Sequence, residues 1–272
     1  MLKPLVSTVF LALVGLSFAP APLRAQQPIN DAVATEKLPS FEVASIKPSN
    51  PDDRGLKLRR SADRVTIENF TLKELIAYAY GLKSDSQVLG GPDWLDKKHF
   101  DIAAKADDTE LAKLKAMRGN EIRNEWGEMM QSLLIDRFVL KVRRDRRTIP
   151  VFALVVAKSG QKLTPAKAKE TYSLSARNSH LSARAVSMAH LADFLGGQDE
   201  TDDRVVIDRT RLIGDFDFKL DWTPDSGNGI PPDAQLPGLL TALRDQLGLQ
   251  LKPDKAAVDV VVVESAKEPE AD

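Results

Sequence analysis

Phe100–Ala106 reads FDIAAKA, and its opening triplet recurs twice, at Phe41-Glu42-Val43 (FEVASIKP) and at Phe216-Asp217-Phe218 (FDFKLDW). In an extended chain neighbouring side chains point to opposite faces, so residues two apart share a face. Phe100 and Ile102 therefore face a core while Asp101 is held to the other side, and Phe216 and Phe218 bracket Asp217 in the same way. The three copies predict three strands of related role around which the fold is organised. They carry no chemistry of their own.

Working outward, Arg64–Asn69 (RVTIEN) alternates as a strand. Thr71-Leu72-Lys73-Glu74 opens a helix, with Thr71 as cap, Glu74 closing a capping box and Leu72, Leu75, Ile76 and Ala79 on one face. Gly81 ends that helix and Gly90-Gly91-Pro92 makes a turn before FDIAAKA. Thr109–Leu134 is helix-like, with a break at Gly119-Asn120. Phe138–Arg143 and Ile149–Ala157 read as a hairpin around a charged RRDRR tip. The run Val260–Val263 reads as a central strand covered on both faces.

The second half repeats this plan. Displaced by 116 residues, Leu72, Leu75, Tyr78, Phe100 and Asp101 fall on Met188, Leu191, Phe194, Phe216 and Asp217. Displaced by 109, LIDRFVLKVRRDRRTIPVFALVV falls without a gap on LRDQLGLQLKPDKAAVDVVVVES. The expected fold is α+β in two similar halves, each a strand–helix–strand unit followed by helix–strand–strand, on antiparallel or mixed sheet. The expected divisions are a signal peptide (1–25), a tether (26–40), a first half (41–160), a linker (161–180), a second half (181–265) and a tail (266–272).

Composition narrows the function classes. Among 272 residues, 38 Lys and Arg nearly cancel 39 Asp and Glu, so no global field draws the chain to nucleic acid. There is no cysteine, which excludes disulfides, thiolate metal sites, a cysteine nucleophile and a lipidated cysteine. Lys3, the apolar run Leu5–Ala19 and the exit Pro20–Ala25 have the layout of an export signal. The run is about 15 residues, short of the roughly 20 that a spanning helix needs. Cleavage after Ala25 leaves Gln26 as the new terminus and a periplasmic or secreted protein with no membrane span.

Direct scanning finds little catalytic chemistry. His99, His180 and His190 lack the spacing of an HExxH site, and no GxSxG elbow, phosphate loop or dinucleotide glycine pattern is present. Asp225-Ser226-Gly227-Asn228-Gly229 is a faint calcium-loop pattern with Leu236 where the twelfth-position acid belongs, and reads as a flexible loop. Asp199–Asp203 (DETDD) reads as a solvated acidic turn. No cofactor or metal is expected. Arg143, Arg144, Arg146 and Arg147 crowd the expected hairpin tip, matched in the other half by Lys252, Pro253, Asp254 and Lys255. They are the candidate anion contact, against a solvated turn. Tyr78, Tyr80, Trp94 and Pro92 are set between groove and core.

FEVASIKP, TLKELIAYAYG, GGPDWL with FDIAAKA, LLIDRF, VFALVVAKSGQKL, VVIDRTRLIGDFDFKLDW and QLGLQL with VDVVVVE follow one another as in an uncharacterised, mainly acidobacterial family, domain of unknown function 3738. The chain resembles it from Phe41 to about Glu264. In that family the segment near Arg209 commonly reads Asp-Lys-Thr-Gly-Leu, whereas here it is Asp208-Arg209-Thr210-Arg211-Leu212. Some relatives carry the domain behind a membrane zinc-metallopeptidase of the antibiotic-sensing kind. The resemblance implies an extracytoplasmic sensing or binding role and transfers no catalytic residue. The expected function is a non-enzymatic binding or interaction module of the cell envelope, its partner an envelope protein or small ligand. A hydrolase using carboxylates such as Asp101 and Asp217, and a sensor or inhibitor partner of an envelope peptidase, are the alternatives.

Overall fold

The computed structural model describes residues 38–52, 55–177, 179–225, 229 and 234–270. The expected signal segment and residues 26–37 of the tether lie outside the described residues. In chain order come β1 (Val43–Pro48), β2 (Lys57–Arg60), β3 (Arg64–Thr71), α1 (Leu72–Ala79), β4 (Val88–Gly90) and β5 (His99–Lys105). Then follow α2 (Asp108–Ala116), α3 (Asn120–Arg137), β6 (Lys141–Val156), β7 (Thr164–Pro165) and β8 (Ser173–Arg177). The chain continues through β9 (His180–Ser187), α4 (Met188–Gly196), β10 (Val206–Asp208), β11 (Asp215–Asp221), α5 (Leu239–Ala242) and β12 (Leu249–Ser265). This is an α+β fold on three sheets.

The local chemistry of these elements is that of the sequence. Thr71 caps α1, accepting from Glu74 N–H at 3.2 Å, while the Glu74 carboxylate accepts from Thr71 N–H at 2.7 Å. Ser187 caps α4, accepting from His190 N–H at 3.3 Å. Gly119, at φ +55, separates α2 from α3 where the break was expected. Phe100, Ile102, Phe216 and Phe218 are all buried.

The first sheet has the order β1-β5-β3-β2 and the third β7-β11-β9-β8, both antiparallel. The pair Leu174↔Ala183 repeats the pair Leu58↔Ile67 at a displacement of 116 residues. The middle sheet is mixed, in the order β10-β6-β12-β4, with β4 parallel to β12 and β10 parallel to β6.

At its centre β6 and β12 run antiparallel along their whole length, from Lys141↔Ser265 to Val156↔Leu249. This corrects the expected hairpin. Arg143–Arg147 is not a tip but the middle of one 16-residue strand, and Lys252–Lys255 lies in the partner strand. No residue between Lys141 and Thr148 has a positive φ, and no glycine or proline occurs there to turn the chain. The stretch 161–180 likewise contributes β7 and β8 to the third sheet rather than a bare connection.

Alternation along β6 and β12 sends their side chains into three buried clusters. Val261 and Val263, with the half-buried Val142, join the core under α1 and α3. Leu154 and Leu249 join the core under α4. On the opposite face Ile149, Val151 and Val260 pack with Val205, against Leu89, Ile207, Val258 and Val262. The valine run is therefore a central strand with apolar partners on both sides, as its lack of alternation implied.

Candidate functional site

The opposite face of the middle sheet also carries the charged residues. On β6, Arg143, Asp145 and Arg147 share it with Ile149 and Val151; on β12, Lys252 and Asp254 share it with Ala256 and Val258. Beyond Ala153 and Val155 this face opens into a cleft of about 630 Å³, whose polar walls are Asp208, Arg209, Arg211, Lys252 and Asp254. The parallel pairing of β10 with β6, Val206↔Phe152 to Asp208↔Leu154, brings the segment after Asp208 to this place. Arg209 N–H donates to Leu154 carbonyl at 2.9 Å, extending that pairing by one step.

Asp208 then folds the next residues. Its carboxylate accepts from Thr210 N–H at 2.8 Å and from the Thr210 hydroxyl at 2.7 Å, an Asx-type turn over a buried threonine. Arg211 follows at φ +61, a left-handed conformation that favours glycine. This is the position where the resemblance set glycine. The backbone takes a glycine-like conformation here, and a cation stands on it. Arg209 lies 3.9 Å from Asp254, whereas Arg211 and Lys252 make no ion pair among the described residues. Three cations against two carboxylates leave the cleft with one unit of excess positive charge.

The four arginines of β6 do not form one surface. Arg143 and Arg147 both donate to Asp145, at 2.8 and 2.7 Å, and Arg143 also lies 3.7 Å from Glu264. The Arg143 guanidinium, with the Arg146 N–H and Arg147, holds the Asp145 carboxyl down at about 2. Arg144 and Arg146 point to the other face by strand alternation, and Arg144 sits over the Tyr80 ring at 5.5 Å. Two cations on each side of a strand are a weaker anion trap than four at one tip.

The remaining expected residues have local roles. Asp101 accepts from Asn69 N–H at 3.0 Å and from the Ser49 hydroxyl at 2.6 Å; Asp217 accepts from Ala185 N–H at 2.8 Å. His99 contacts the Asn69 carbonyl, His180 the Asp221 carboxylate and His190 the Ser187 hydroxyl, each near 3 Å and on the surface. Tyr78, Tyr80 and Trp94 are half-buried against the first core. Asp199–Thr201 is a short 3-10 turn; burial, with Asp85 and Glu74 close by, raises Asp203. Of the faint calcium pattern, Ser226–Asn228 lies outside the described residues, and Asp225 caps Gly229 N–H at 3.0 Å. No group of three metal-ligating side chains occurs among the described residues.

Arg209, Arg211 and Lys252 become a set only through the pairing of β10 with β6 and β6 with β12. The one sequence signal for them was the arginine standing in place of a turn glycine. No helix among the described residues is long and apolar enough to cross a membrane. No curated protein and no solved structure matches the chain. The model of a family described as protein of unknown function (DUF3738) matches residues 73–266, and the chain belongs to that family.

Proposed function

We propose that this chain is a non-enzymatic, extracytoplasmic binding module of the cell envelope that captures an anionic ligand in the Arg209–Arg211–Lys252 cleft. The observation that carries this reading is the pair of unpaired cations, Arg211 and Lys252, at a cleft large enough for a small polyanion. Retaining arginine at φ +61 costs about 1–2 kcal/mol of backbone strain. Strain of this kind gathers at sites where a side chain is wanted. Export rests on the n-, h- and c-region layout of residues 1–25. The engagement of Asp101 and Asp217 with backbone N–H groups favours binding over carboxylate catalysis.

The test is a salt-titrated calorimetric measurement with inorganic pyrophosphate and with citrate as probes. Wild type binds at least one of them at low salt and weakens steeply as salt rises. Replacing Lys252 and Arg211 by Gln weakens that binding, while replacing Arg143, Arg144, Arg146 and Arg147 by Gln changes it little. Absence of binding to both probes at low salt, or equal affinity in all three proteins, overturns the cleft. N-terminal sequencing of envelope-fraction protein that finds Met1 rather than Gln26 overturns the cleavage after Ala25.

A further inference from the structure

The two antiparallel sheets end in comparable edges with different chemistry. β2 is the outer strand of the first sheet and β8 of the third, and each pairs inward with the strand that leads into a helix. β2 reads KLRR and is guarded: Lys57 and Arg59 pair with Glu68 at 2.9 and 3.5 Å. Charges of this kind keep an edge from adding another strand. β8 reads SLSAR, and nothing charged stands between Ser173 and Ala176. Its outer N–H and C=O groups face no further strand of the sheet.

The helix side of these edges differs as well. In the first sheet Arg60 is the residue at the end of β2, and its positive charge offsets part of the upward push of burial on the phenol of the half-buried Tyr78 of α1. The residue 116 further along from Arg60 is Ala176, and the one 116 along from Tyr78 is Phe194. A methyl group stands at the position of the guanidinium, and the ring nearby is half-buried. At this edge lies a recess of about 240 Å³ between Ala176, Phe194 and Trp222, with Arg177, Asp199 and Glu200 on its walls. Phe194 and Trp222 meet edge to face, 6.3 Å between centroids, so the floor is an aromatic surface. Two carboxylates against one guanidinium leave the rim acidic.

An aromatic floor under an acidic rim fits a cationic side chain, and a planar guanidinium stacks on such a floor better than an ammonium does. An open strand edge beside a side-chain recess is the arrangement that binds an extended peptide, the backbone supplying affinity and the recess specificity. We infer that β8 accepts an added strand from a partner protein, and that this strand presents an arginine to the Ala176–Phe194–Trp222 recess. This surface is separate from the anion cleft and stands or falls independently of it.

The probe is a random heptapeptide library displayed on phage and panned against the full chain. Selected peptides should carry an arginine within an alternating, strand-forming pattern. The best of them, made synthetically, should lose about tenfold in affinity when that arginine is replaced by glutamine. Ala176→Arg should fill the recess from within the chain and abolish selection. As a variant less demanding of the fold, Asp199→Asn with Glu200→Gln should weaken binding with the melting temperature retained. Lys252→Gln, in the other cleft, should leave peptide affinity unchanged. Failure to enrich any peptide, enrichment of arginine-free peptides, or selection indifferent to both the Ala176 and the Asp199/Glu200 variants overturns the inference.

Discussion

Asp101 Oδ1 accepts the backbone N–H of Asn69 at 3.0 Å, across a break in strand register between Ile67 and Phe70. Asn69 stands there at φ +65, the mark of a β-bulge whose extra residue has lost its ladder partner. The same device recurs in the third sheet. Asp217 accepts Ala185 N–H at 2.8 Å, and Ala185 has φ +48. In two of the three Phe-acid-apolar triplets, the acid held away from the core is therefore a clamp on the neighbouring strand, whereas the Glu42 carboxylate of the third pairs with the Lys105 ammonium at 3.2 Å.

Removing that clamp leaves a bulge N–H without an acceptor. Asp101→Ala and Asp217→Ala should each cost about 2 kcal/mol in urea-unfolding free energy, the usual penalty for orphaning a donor. Asp101→Asn retains an acceptor oxygen and should cost visibly less. Ligand affinity in the Arg209 cleft should not change in either alanine variant. A loss of stability below about 0.5 kcal/mol in both would mean that the bulges hold themselves.

Asp145 gives a pH prediction with a definite sign. Its folded-state pKa of about 2 lies below the ordinary 3.8, chiefly because Arg143 donates to it and also because of Arg146 N–H and Arg147. A lowered carboxyl pKa stabilises the fold above the unfolded value and loses that contribution as pH falls toward the folded value. The urea midpoint should therefore drop between about pH 4 and pH 2 through this group, and Asp145→Asn should flatten that part of the curve. An identical pH profile in the variant would refute the assignment.

The strand that Asp145 occupies also shows where reading the sequence stops. Phe100 and Ile102, the Thr71–Glu74 box and the Gly119 break are decided by neighbours within a few residues, so period and capping suffice. RRDRR is different. By itself it has the composition of a turn, and it runs straight because β12 lies opposite and because Asp145 neutralises Arg143 and Arg147 from within the strand. β4 and β10, three residues each, are strands only through their parallel neighbours. The cleft joins Arg209 to Lys252 by the same pairings, which no local pattern encodes.

A comparison of Val139 with Gly248 tests the backbone rather than the side chains. Each precedes a long strand by one or two residues, and each has a positive φ, +48 and +66. A Cβ on Gly248 would collide with the Gly160 carbonyl oxygen and come within 2.9 Å of Gln161 Cα. Gly248→Ala should therefore cost about 3 kcal/mol, combining left-handed strain with overpacking. Val139, half exposed and β-branched, bears that strain unrelieved. Val139→Gly should stabilise by about 1 kcal/mol, the relief of strain exceeding the entropy of a new glycine. Thermal and urea unfolding of the two variants should move in opposite directions.

Arg211 joins the stability argument to the function. It occupies a left-handed position at φ +61, next to Ile213, which is 96% exposed, and Gly214 at φ +98. Nothing in the packing asks for a long side chain there, and Arg211 makes no ion pair among the described residues. Glycine would relieve the backbone, so Arg211→Gly should raise unfolding free energy by about 1 kcal/mol. It should also lower affinity for the pyrophosphate or citrate probe, most at low salt, because the cleft loses one of three cations. Arg211→Lys separates the two effects: charge is kept and strain is kept, so stability and most of the affinity should stay near wild type. If Arg211→Gly gains stability and binds the probe as tightly as before, the arginine is not there for an anion. A loss of stability would show instead that its side chain supports the turn over Thr210.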